Sequence, residues 1–256
     1  MSPLGIGPRE VISLARQARD VAPRGPILVT GVLAEQLARQ LAAGGDPALV
    51  RTRGNPADAA ALVCVVAGAA TAAEEEALRT ATRALVPVVA IQTGPASVRI
   101  PYVLATDVVE CEPGKGFPVS GIADTLAAAL GRDGAALAGQ LPVLRDAVER
   151  RRAADGALAA AALAFAGDAA PRLPVLALAQ TRMLSELDSA SGRPAPREAR
   201  QTAEAIGPPL VAALATGLAA RTLVRRLPVR NRLLDSVVAA GVTYGLAAAF
   251  RLVRSR

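Results

Sequence analysis

The sequence predicts an N-terminal α/β domain, a mostly parallel sheet with flanking helices, followed by an all-α domain ending in an apolar helix pair. Three observations predict it. Short aliphatic runs at 27–29, 61–67 and 87–92 alternate with helical segments, which implies parallel strands joined by crossovers. The run Ala61-Leu62-Val63-Cys64-Val65-Val66-Ala67 is apolar throughout, as in a strand covered on both faces. From Gly134 onward strand-like runs disappear and alanine-rich helical patterns take over. The expected division is therefore 1–133 and 134–256.

In chain order, residues 7–21 read as a short helix with Val11, Ile12, Leu14 and Ala15 on one side, ended by Pro23. Residues 27–29 form a buried strand, Thr30-Gly31 a turn, and an amphipathic helix runs to about 43. Gly44-Gly45-Asp46-Pro47 is a loop, and 48–52 a short second strand. After the strand at 61–67, Thr71 caps a helix whose first turn is Glu74-Glu75-Glu76, where negative charge meets the positive helix end. The next buried strand spans 87–92. Residues 102–104 and 107–110 offer a further one, and 122–130 a helix. Beyond it, 135–152 is helical with a bend at Pro142, and 156–167 and 173–187 continue the helical half. A polar loop at 189–196 precedes two uncharged stretches, 205–220 and 236–250. With their flanks they form apolar helices at about 205–222 and 234–253.

Composition narrows the chemistry. The chain has 256 residues, 29 basic against 22 acidic, a net charge of +7, no histidine and no tryptophan. The absence of histidine removes His-based triads, His general bases and His metal ligands. Aromatic residues make up 2%, too few for base-stacking surfaces, so no nucleic-acid partner is expected. Cys64 and Cys111 read as ordinary core or near-core thiols, and no metal site is expected. The N-terminus lacks the charged region and apolar run of a signal peptide, which places the chain in the cytoplasm.

The strand–glycine–helix unit around Gly31 is the scaffold on which α/β proteins hold a phosphate. A phosphate loop needs glycine, four residues, then Gly-Lys-Ser/Thr. Counting from Gly31, those three places hold Gln36, Leu37 and Ala38, so the loop is a vestige and no nucleotide or other cofactor is expected. Lys115, the only lysine, lies in Gly114-Lys115-Gly116; it reads as a solvated loop lysine, with a phosphate contact as the alternative.

The segment from Ala57-Asp58 through the 61–67 strand, the acidic helix and Val86-Pro87-Val88-Val89-Ala90-Ile91-Gln92 resembles the middle of an Era-like small GTPase domain. The resemblance implies a GTPase-like topology over about 110 residues, with an aspartate preceding the third core strand. It also implies a base-reading Asn-Lys-x-Asp, where this chain has Gln92-Thr93-Gly94-Pro95. Arg51-Thr52-Arg53-Gly54 stands about where the family has its magnesium-linked Asp-x-x-Gly, and Gly114-Lys115-Gly116 is similar to the family's late loop. An α/β domain of another lineage would show the same alternation.

The second half is similar to an uncharacterised, membrane-associated helical domain found C-terminal to bacterial Era-like GTPases. The residues concerned are Leu173-Pro174-Val175, Gln180-Thr181-Arg182-Met183-Leu184, Ser191-Gly192 and the two apolar helices. Sixteen uncharged residues rise about 24 Å, short of a hydrocarbon core of about 30 Å. A peripheral or soluble bundle and a spanning hairpin both stay open. Arg221, Arg225, Arg226, Arg230 and Arg232 crowd the connection between the two helices and are the candidate contact to anionic lipid or a partner.

The function expected is a non-catalytic pseudo-GTPase, a scaffold or regulator at the inner face of the cytoplasmic membrane, with a protein partner on the α/β half. Its alternatives are a divergent nucleoside-triphosphatase and a membrane-embedded subunit with a soluble α/β cap.

Overall fold

The computed structural model describes residues 25–94, 99–112, 114–131, 133–165, 172–192 and 232–254. The described residues fall into two compact units: those within 25–149 together with 190–192, and those within 150–189 together with 232–254.

The first unit is built on five parallel strands: β1 (Ile27–Gly31), β2 (Val50–Arg51), β3 (Ala61–Val66), β4 (Val88–Gln92) and β5 (Val108–Glu110). Their order is β2-β1-β3-β4-β5, a doubly wound sheet in which the chain leaves β1 in one direction and passes it in the other. Pairing is in register from Ile27↔Ala61 to Gly31↔Val65, and from Leu62↔Val88 to Val66↔Gln92. The apolar strands put alternate residues on opposite faces, as the two-residue period requires. Ile27, Val29, Val63, Val65, Val89 and Ile91 face one core, with Leu37, Leu41, Ile122 and Leu126 packed on them. Leu28, Leu62, Cys64, Val66 and Ala90 face the other, with Leu78 and Ala81.

The helices supplying those residues are α1 (Ala34–Leu41), α2 (Ala72–Arg83) and α3 (Val119–Ala129). The expected Thr71 cap is present. Its side chain accepts from the Glu74 N–H while the Glu74 carboxylate accepts from the Thr71 N–H at 2.8 Å, a reciprocal capping box worth about 1 kcal/mol. The short second strand at 48–52 is β2. The expected strand at 102–104 is not formed. Tyr102 takes a left-handed φ of 63°, and pairing with β4 begins only at Val108.

The composition shift at Gly134 does not coincide with the edge of the α/β unit. Two helices follow α3, α4 (Asp133–Gln140) and α5 (Pro142–Phe165), with Pro142 opening α5, where its missing N–H costs nothing. Leu137, Leu141, Leu144 and Val148 are buried in the same core as Ile27 and Val63, so the unit extends to Glu149. Residues 190–192 return to it: Arg145 Nε donates to the Ala190 carbonyl at 3.2 Å.

The second unit holds the remainder of α5, α6 (Arg172–Ala190, up to Ser189) and α7 (Arg232–Arg254). Met183, Leu184 and Leu187 of α6 pack with Ala153, Leu246, Ala247 and Phe250. The Met183 side chain of α6 lies over Gly156 of α5, in the space a Cβ there would take. Gln180 and Met183, the residues of the helical-domain resemblance, are both buried, and Gln180 Nε2 donates to Thr243 Oγ1 at 3.2 Å. Of the expected apolar helix pair, the helix at 234–253 is α7, and the stretch 205–222 lies outside the described residues. Among the described residues no helix is long and apolar enough to cross a membrane. The helix expected at 7–21 also lies outside them.

Candidate functional site

In a doubly wound sheet the ligand crevice opens at the carboxyl ends of the strands, where the crossovers from β1 and β3 diverge. Here that edge carries Gly31 at the end of β1, Arg51-Thr52-Arg53-Gly54 from the end of β2, Ala67 after β3, Gln92-Thr93-Gly94 from the end of β4 and Lys115 beyond β5. The segments expected to carry vestigial nucleotide chemistry thus share one edge, apart from Asp58. That residue lies in a 3-10 turn (Pro56–Asp58) leading into β3, at the opposite edge. There it lines a separate concavity of about 510 Å³ together with Leu85, Pro87, Leu130 and Asp133.

Gly31 has φ 92°, and a Cβ on it would lie 2.0 Å from the Val65 carbonyl oxygen. Glycine is therefore required for close backbone approach between β1 and β3, and the next residue's N–H donates to that same carbonyl at 3.1 Å. Helix α1 already starts at Ala34, which leaves Val32 and Leu33 as the whole connection. A phosphate loop uses the residues between its first glycine and its lysine as a backbone cradle, and two residues cannot wrap a phosphate. Gln36 is exposed on α1, whereas Leu37 and Ala38 are buried against the sheet. Leu33 occupies the N-cap with φ 56° and no side-chain cap bond. Val32 and Leu33 remain 44% and 59% exposed.

An acidic side chain lies beside Gly31. Glu74 Oε1 lies 3.1 Å from the place a Cβ on Gly31 would take, and Oε2 accepts from Thr71 N–H and Oγ1 at 2.8 and 2.9 Å. The capping box thus holds a carboxylate over the carboxyl ends of β1 and β3. Two like unit charges about 4 Å apart repel by about 4 kcal/mol at an effective dielectric near 20. The attraction of one helix N-terminus for an anion is about 0.3–1 kcal/mol. The repulsion wins. Sequence reading took Glu74 for a helix-end charge and missed this placement. The signal was there in Thr71-x-x-Glu74, which fixes the carboxylate at the first turn directly after β3.

The other loops close the crevice with backbone. Thr93 N–H donates to the Val66 carbonyl at 2.9 Å, and a Cβ on Gly94 would lie 2.0 Å from the Ala67 oxygen. Gln92, in the place of the base-reading motif's first residue, is buried at the end of β4, and Pro95 lies outside the described residues. Lys115 pairs with Glu112 in an exposed loop. Among the described residues no group of three His, Cys, Asp or Glu side chains could hold a metal ion. Of the arginines at 221, 225, 226, 230 and 232, the first four lie outside the described residues; Arg232 opens α7.

Cys64 sits one strand from Thr30 in this layer, in direct register with it. Burial pushes its thiol up to about 11; the Thr30 hydroxyl lowers it somewhat, without forming a well-aligned hydrogen bond, and the Glu74 charge raises it. Burial also raises the Cys111 thiol. Neither thiol is activated as a nucleophile, which needs a depressed value. Because the folded value for Cys64 exceeds the unfolded 9.0, its contribution to stability is complete below pH 9 and is lost as pH rises towards about 11. The unfolding free energy from urea titrations should fall across that window by on the order of 2 kcal/mol more for the parent than for Cys64→Ala. Parallel curves for the two proteins would refute the assignment.

Compared with protein-family models, curated proteins and solved structures, the chain matches none.

Proposed function

We propose that this chain is a non-catalytic pseudo-GTPase, a scaffold or regulator that works at the inner face of the cytoplasmic membrane. The observation that carries the non-catalytic part is the Glu74 carboxylate above Gly31, over a connection of only Val32 and Leu33. A sheet of order β2-β1-β3-β4-β5 is compatible with a GTPase-like ancestor and equally with other doubly wound folds. The exposed Val32 and Leu33 beside the closed crevice suit apolar contact with a protein partner.

Charge supports the membrane part. The stretches Val21–Glu149 and Ala190–Gly192 contain 10 basic and 13 acidic residues, a net −3, while the rest of the chain contains 19 basic and 9 acidic, a net +10. A basic segment is drawn to an anionic bilayer by about 1 kcal/mol per arginine near the surface, and salt weakens the attraction. The five arginines at 221, 225, 226, 230 and 232 belong to that basic part.

Fractionation of cells producing the full chain tests this. The expected result is recovery with membranes and release by alkaline carbonate. Recovery in the soluble fraction would remove the membrane part of the proposal, and resistance to carbonate would restore a spanning hairpin.

A further inference from the structure

We draw no further inference here: the strongest candidate, the concavity of about 510 Å³ lined by Asp58, Leu85, Leu130 and Asp133 at the edge of the sheet opposite the crevice, adjoins in sequence Arg132 and residues 1–24, which lie outside the described residues, so nothing in the structure shows what covers it.

Discussion

Gly31→Ala is expected to destabilise the α/β unit by about 3–5 kcal/mol, enough to unfold a marginal domain. Two costs add. The residue sits at φ 92°, where an L side chain is strained, and the new Cβ would stand 2.0 Å from the Val65 oxygen and 3.1 Å from Glu74 Oε1. The carbonyl cannot retreat, because β3 is held on its other edge by β4 in register along its length. Gly114→Ala provides the comparison. Its φ is 82° but nothing lies within 4 Å of the added Cβ, so only the strain of about 1 kcal/mol applies. Urea denaturation of both variants checks the difference. If Gly31→Ala is tolerated as well as Gly114→Ala, the close approach of β1 and β3 is not what requires glycine there.

Glu186→Ala is expected to destabilise the helical unit by about 3 kcal/mol. Its carboxylate meets Arg152 Nε at 3.2 Å, and both side chains are nearly buried, at 11% and 10% exposed. Removing the carboxylate leaves the nearly buried Arg152 guanidinium with its Nη1 3.7 Å from the Asp155 carboxylate, which is 40% exposed. Desolvation without compensation is the costly case for an ion pair. Replacing both partners together, Arg152→Met with Glu186→Leu, should recover most of the loss, since neither charge then stays buried. Arg182 also bonds Glu186, at 3.0 Å, but it is 45% exposed, so Arg182→Ala should cost under about 1 kcal/mol. Thermal unfolding of the four proteins separates these cases. A double variant no more stable than Glu186→Ala would mean that the pair acts through geometry the apolar side chains cannot supply.

The elements that were plain in the sequence are those where one local rule decides. A run such as Leu62-Val63-Cys64-Val65-Val66 with a helix after it has few options besides a covered parallel strand, and it is one, buried throughout. Thr71 and Glu74 fix a helix start by their spacing alone. Legibility failed where long-range packing decides. Leu137, Leu141, Leu144 and Val148 have a helical period that fits a separate bundle as well as a sheet cover, and only the fold turns them towards Val63. Tyr102-Val103-Leu104 has strand-like residues but no partner strand in reach before Val108. At the crevice, the missing Lys and Ser/Thr could be read directly from Gln36, Leu37 and Ala38. The Thr71-x-x-Glu74 spacing places the carboxylate at the start of α2, but that it lies beside Gly31 depends on the close approach of β1 and β3, which sequence spacing does not encode.

Titration calorimetry of the full chain with GTP, GDP and ATP, each with magnesium, tests the non-catalytic account most directly. The connection after Gly31 is two residues long, the places of a phosphate loop's lysine and magnesium hydroxyl hold Leu37 and Ala38, and the Glu74 carboxylate lies 3.1 Å from where a Cβ on Gly31 would be. The account predicts no binding heat with any of the three nucleotides in the micromolar range. Micromolar binding of any one of them would contradict it and make the chain a divergent nucleotide-binding enzyme.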